Sequence, residues 1–163
     1  MKPYLIANEV TPVQTGEQYE MLPLHSTLVH WFWLDQEITT GEISDCVGDN
    51  YTRSIRLTPN GQETFTATTN EGEIPVTVTT LERRHELIDL HERVVSSLVS
   101  LDAVHEKPQY THEGFRPHIT HQQGETVNPR GYVSKNLYIA TADRPEYGNL
   151  RTIVAKIAIS HNE

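Results

Sequence analysis

Leu24-His25-Ser26-Thr27-Leu28-Val29-His30-Trp31-Phe32-Trp33-Leu34 is rich in β-branched and aromatic residues and contains neither Gly nor Pro, so it reads as a buried strand. Much later in the chain, Pro117-His118-Ile119-Thr120 lies in the run 115–123, which reads as a second strand. Each run carries a histidine and a threonine two residues apart. Side chains alternate faces along a strand, so His25 and Thr27 point one way and Ser26 the other. By the same rule His118 and Thr120 share a face, with Ile119 behind them.

Outward from these two runs, residues 3–8 read as an opening strand, followed by a loop through Pro12 and Gly16. Thr39, Thr40 and Glu42 offer helix-start chemistry ahead of Ile43, Cys46 and Val47, with Gly48 as a stop. A strand over 51–58 is expected to turn through Pro59-Asn60-Gly61 into a second over 62–68, because Asn-Gly favours hairpins. Residues 73–80 read as another strand, placed at an edge by Pro75. Leu87, Leu90, Val94, Leu98 and Leu101 line one face of a long helix starting near Thr80 as N-cap. Pro108 ends that region, a loop runs to Gly114, and further strands follow near 135–141 and 150–160. The order β, β, short α, three β, long α, three β lacks βαβ alternation and predicts an α+β fold with antiparallel sheets.

The chain has 163 residues, the length of one ordinary domain or of two small lobes sharing an interface. Asp and Glu number 22 against 13 Lys and Arg, a net charge of −9. That balance argues against long nucleic acids and anionic membranes as partners and leaves short substrates, or a local basic patch. Cys46 is the only cysteine, which excludes an internal disulfide and a multi-cysteine metal site. No run is long enough for a signal peptide or a membrane span, so a cytoplasmic protein is expected.

An imidazole beside a hydroxyl on one strand face suits phosphoryl chemistry. The imidazole moves a proton near neutral pH, and the hydroxyl donates to a phosphate oxygen. Two such pairs facing each other would supply an acid, a base and two anchors. Arg116, two residues before His118, is expected on the same face as a cation for phosphate. Tyr4, Tyr110, Tyr132, Tyr138 and Tyr147 are the tyrosines that could stack on a base. Trp31 and Trp33 share the parity of His25 and are read as packing residues, and Cys46 as filling a helix face. A different chemistry, metal binding by His112, His118 and His121, is weakened by the strand that places His118 and His121 on opposite faces.

With these residues the chain resembles the two-histidine (2H) phosphoesterases, whose 2′-5′ RNA ligase-like members carry one His-x-Thr or His-x-Ser in each of two pseudo-symmetric lobes. The resemblance is carried by His25, Thr27, His118 and Thr120, most closely by Pro117-His118-Ile119-Thr120, and Tyr4-Leu5-Ile6-Ala7 looks like that fold's opening strand. It implies one bilobed domain over 1–163, with two antiparallel sheets forming a central cleft and the helices packed outside. It also implies cleavage of 2′,3′-cyclic phosphates, or of 2′-5′ or 3′-5′ linkages, without metal or other cofactor. His25, Thr27, His118 and Thr120 would be catalytic, with Arg116, Tyr4 and Tyr110 binding substrate. The expected partner of this monomer is a nucleotide or short oligonucleotide, and some phage members of the group degrade cyclic oligonucleotide immune signals. His121 departs from the pattern, since an apolar residue is usual after the second motif. Two alternatives remain beside this reading: a module that sequesters a nucleotide without cleaving it, and a metal-dependent hydrolase.

Overall fold

The computed structural model describes residues 1–69, 71–145 and 149–159. In chain order the elements are β1 (Lys2–Glu9), β2 (Gln18–Tyr19), β3 (His25–Leu34), α1 (Thr40–Gly48), β4 (Ile55–Leu57), β5 (Pro59–Thr69), β6 (Gly72–Leu81), α2 (His85–Val99), β7 (Val104–His105), β8 (His118–Thr120), β9 (Tyr132–Ser134), β10 (Asn136–Ala142) and β11 (Arg151–Ala158). Two short 3₁₀ turns, Pro108–Tyr110 and His112–Gly114, precede β8. The fold is α+β, and the pairings between named strands are antiparallel.

The main sheet runs β2-β11-β10-β1-β3-β8-β6-β5, with β7 also on β3, while β4 and β9 form a separate ribbon. Its two halves, β2 to β3 and β8 to β5, are joined through one pairing, Ser26 opposite Ile119. Both helices cover one face. There Ile43 and Val47 of α1 and Leu87, Leu90, Val94 and Leu98 of α2 pack with Tyr4, Ile6, Val29, Phe32 and Ile139. A smaller cluster of Leu5, Ala7, Trp31, Tyr138, Ala140 and Ile153 forms on the opposite face.

Local chemistry explains the elements that match their sequence signals. Thr39 caps α1 in a reciprocal box: its Oγ1 accepts from the Glu42 backbone N–H, and Glu42 accepts from the Thr39 N–H. The α2 face buries Leu87, Leu90, Val94 and Leu98 at the predicted spacing. His91 and Val95 widen that stripe.

Four expectations are corrected by long-range pairing. The hairpin turn is not at Asn60-Gly61: β5 and β6 pair continuously to Thr69 opposite Gly72, whose φ of 115° is the left-handed conformation a glycine tolerates. Asn60 instead accepts a bond from Thr80 Oγ1 at 2.7 Å, beside the register shift between Pro59 and Gly61. Thr80 is therefore not an N-cap. It stays in β6 opposite His118, Leu81 N–H donates to Pro117 O, and α2 begins only after Arg84. Pro75 does not mark an edge strand, since β6 lies between β5 and β8; but β8 pairs only with Val78–Thr80, so the missing N–H of Pro75 breaks no ladder bond there. The runs 51–58 and 115–123 shrink to Ile55–Leu57 and His118–Thr120, the residues that enter the β4-β9 and β3-β8-β6 ladders, and β2, β7 and β9 are short strands with little local signal. Ser160, at the end of the predicted last strand, lies outside the described residues.

Candidate active site

The pairing of Ser26 with Ile119 decides the site. Both residues are fully buried, so the flanking residues on each strand point to the opposite face. Extending the antiparallel register by one residue sets His25 beside Thr120 and Thr27 beside His118. The two histidines are then diagonal neighbours, and such pairs stand about 7–8 Å apart, a span one phosphate can bridge. All four side chains line a cleft of about 540 Å³ formed by both halves of the sheet, a size within the usual range for small-molecule sites.

The two imidazoles are held alike. His25 Nδ1 lies 2.8 Å from the carbonyl of Pro23, and His118 Nδ1 lies 2.7 Å from the carbonyl of Arg116, each two residues upstream. A carbonyl can only accept, so Nδ1 carries the proton and Nε2 presents its lone pair. Burial lowers the pKa of both. For His25, to about 4, desolvation outweighs the Pro23 bond, with His118 and Arg151 adding to the lowering. For His118 desolvation again leads, opposed by the bond to Arg116 O and assisted by the guanidinium of Arg116. In the free protein both rings are neutral at pH 7.

Charge is segregated at the cleft despite the acidic chain. Lys107, Arg116 and Arg151 line it, and Glu106 is the one carboxylate doing so among the described residues. Arg116 pairs with Glu63 and lies 4.8 Å from the Phe65 ring centroid; the Phe65 and His118 ring centroids in turn lie 4.8 Å apart in a T-shaped arrangement. Arg151 is buried, donates to the carbonyls of Glu20 and Asn149, and lies 5.8 Å from the Trp31 ring. One arginine thus accompanies each histidine. The sequence reading found Arg116 but missed Arg151, Lys107 and Phe65, which reach the cleft from distant elements and carry no local signal.

The tyrosines separate cleanly. Tyr110 lines the cleft. Tyr4 does not: it is 4% exposed in the helix-side core, with its ring 6.1 Å from that of Phe32, so its expected role in substrate binding is corrected. Tyr138 is buried, with its ring 6.2 Å from His25. Tyr132, the first residue of β9, accepts through its hydroxyl from the Asn128 N–H. Tyr147 lies outside the described residues.

Two further histidines support the cleft from behind. His91 Nδ1–H donates to Leu28 O at 2.7 Å, and its Nε2 accepts from the His112 backbone N–H at 3.0 Å. That ring ties α2 to the strand carrying the first motif and to the turns carrying Tyr110. His121, the departure from the motif, bonds through Nε2 to Thr79 Oγ1 at 2.6 Å. His112 bonds to Glu92. His112, His118 and His121 therefore go to three separate environments, and among the described residues no three His, Cys, Asp or Glu side chains converge as metal ligands. No helix among them is long and apolar enough to cross a membrane.

No protein-family model matches the sequence, and no curated protein matches it. Among solved structures the chain is similar to E. coli LigT complexed with 3′-AMP, at 14% identity over 98% of this chain and 99% of that one, with a TM-score of 0.58. It is similar to a protein described as a phosphoesterase, at 14% identity and the same coverage and TM-score. TT0787 of Thermus thermophilus aligns over 100% of both chains at 15% identity, TM-score 0.59. LigT has also been solved with ATP and with NADP⁺. The chain has the fold of these proteins, which is the fold that the two-histidine resemblance implied.

Proposed function

We propose that the chain is a phosphoesterase of the two-histidine superfamily: a hydrolase that cleaves 2′,3′-cyclic phosphates, or 2′-5′ or 3′-5′ linkages, in RNA ends and small oligonucleotides, cyclic immune signals included, without a metal. The carrying observation is the crossed arrangement of His25, Thr27, His118 and Thr120 on one cleft face, with both Nε2 atoms held as acceptors by upstream carbonyls. The fold shared with LigT and the nucleotides bound by LigT support the same reading.

In this scheme the substrate phosphate lies between the imidazoles. Its negative charge offsets the desolvation that keeps them neutral, so one ring takes up a proton at Nε2 while the other stays free. The free ring is the general base. It accepts a proton from water or a ribose hydroxyl as that oxygen bonds to phosphorus. The protonated ring is the general acid and delivers its proton to the leaving ribose oxygen, which departs with the bonding pair. Thr27 and Thr120 donate to the non-bridging oxygens, and Arg116 and Arg151 balance the charge that builds up there.

A sequestering module would need the arginines and aromatic residues but no pair of proton carriers of fixed tautomer, so the histidine geometry favours the enzyme. The deciding experiment incubates the protein with 2′,3′-cyclic nucleotides, 2′-5′ and 3′-5′ dinucleotides and cyclic dinucleotides, with and without EDTA, and resolves products by chromatography. Cleavage of at least one class, unchanged by EDTA, is expected. Binding without cleavage supports sequestration, and activity abolished by EDTA and restored by zinc or manganese supports a metal hydrolase.

A further inference from the structure

A third histidine faces the cleft, and it is built oppositely to the first two. Strict alternation from Ser26 would put His30 on the helix-side face. It does not go there because β3 carries two register shifts against β1: Ala7 pairs with Thr27, Ile6 with Val29 and Tyr4 with Phe32. Each shift inserts one residue into β3, as a β-bulge does beside many active sites. Val29 and Phe32 consequently both enter the core at 0% exposure, while His30 and Trp31 between them both line the cleft.

His30 Nδ1 is buried and has no partner among the described residues. No carbonyl holds a proton there, unlike at His25 and His118. A proton on Nδ1 would be a buried, unpaired donor, so the neutral ring of this cleft-lining residue favours the Nε2–H tautomer. Burial, aided by Lys107 and His118, lowers the His30 pKa to about 4 and keeps the ring neutral. Its ring lies 5.5 Å from that of Tyr110, which is 43% exposed, and Lys107 Nζ lies 5.7 Å from the same ring. The station therefore combines a partly exposed aromatic ring with a lysine ammonium and an imidazole whose favoured tautomer donates. A second phosphate would find Lys107 as the one standing charge of the station, whereas Arg116 and Arg151 stand with the catalytic pair.

We propose that His30, Lys107 and Tyr110 form a nucleobase subsite that takes guanine in preference to adenine, a refinement that rests on the phosphodiesterase reading above. The base stacks on Tyr110. Guanine presents N7 and O6 as adjacent acceptors to His30 Nε2–H and Lys107 Nζ; adenine sets its N6 amino donor beside N7, so donor would face donor and one pair would go unmade.

Calorimetric titration with 3′-GMP and 3′-AMP tests this, on the wild-type protein and on His30→Phe, His30→Gln and Lys107→Met. The wild type is expected to bind 3′-GMP about tenfold more tightly, the scale of a good two-donor base contact. His30→Phe and Lys107→Met should each bring the two ligands to near parity, and His30→Gln, which keeps an N–H donor, should retain part of the preference. Lys107→Met reads the same station if His30→Phe fails to fold. Equal binding by the wild type, or an undiminished preference in Lys107→Met, overturns the subsite. A parallel assay with GpG and ApA dinucleotides separates the two readings. Guanine-selective binding with no cleavage leaves the subsite standing and removes the phosphodiesterase; cleavage with no purine preference does the reverse.

Discussion

Ser26 of β3 and Ile119 of β8 face each other at the pairing that joins the two halves of the main sheet, and both are buried completely. Everything on the cleft side of that pair follows from it. The residues on either side of each turn outward together, so two motifs far apart in the chain become one crossed quartet.

Ile119 should therefore carry both stability and alignment. Truncating a buried Ile to Ala commonly costs about 2–5 kcal/mol, and Ile119→Ala is expected to lose stability on that scale together with turnover. Ser26→Ala should behave differently, since Ser26 Oγ is buried without a partner among the described residues, and removing it relieves a desolvated hydroxyl. Urea denaturation and kcat on both variants check the contrast; a Ser26→Ala protein less stable than wild type would contradict it.

Replacing either histidine should remove proton transfer and leave binding. Positioned acid-base groups contribute about 10² to 10⁴ in rate, so His25→Ala and His118→Ala should each lower kcat on that scale while Kd for a nucleotide changes little. Thr27→Val and Thr120→Val each delete one hydroxyl donor and should be milder. A His118→Ala protein with wild-type turnover would defeat the acid-base scheme.

Stability should decline on the acid side. The folded-state pKa values of His25 and His30 are lowered to about 4, and those of His91, His105 and His118 are lowered as well, burial leading in every case. An unfolded histidine titrates near 6.5. The unfolded chain thus binds protons first: the stabilisation is fully present above about pH 6.5 and is lost as pH falls through the folded values near 4. Thermal unfolding across that interval should show Tm falling steadily, and a flat Tm would mean that these rings are not buried neutral.

Arg116 is half-exposed and already paired with Glu63. A substrate phosphate must compete with that carboxylate, so Glu63→Gln should lower KM. Arg116→Met should raise KM, more at low salt than at high salt, because screening weakens an exposed contact. With three cations at the cleft of a chain of net charge −9, short substrates should also outcompete long structured RNA. A length series measured at two ionic strengths tests this; faster cleavage of long RNA with steep salt dependence would refute the assignment.

The parts of the site legible in the sequence are those governed by backbone alternation. His25 with Thr27, and His118 with Thr120, were readable as same-face pairs because their spacing of two matches the strand period. Tyr4 was not, since Tyr4-Leu5-Ile6-Ala7 is apolar on both faces and periodicity cannot say which side meets the helices. The alternation that places His25 does not place His30, because a bulge breaks the period without changing the residues around it. Asn60-Gly61 carried a genuine turn signal that the longer β5-β6 ladder overrode.

By itself the sequence determined the antiparallel α+β class, the capped α1, the apolar face of α2 and the content of both histidine motifs, since each depends on interactions a few residues apart. The tertiary structure alone decided that β3 and β8 are neighbours, that Lys107 and Arg151 join Arg116 at one cleft of an acidic protein, and that a bulged β3 turns His30 into the same cleft. Those features depend on which distant strands pair and in what register. Burial and long-range backbone pairing settle both, and neither leaves a trace in local residue order.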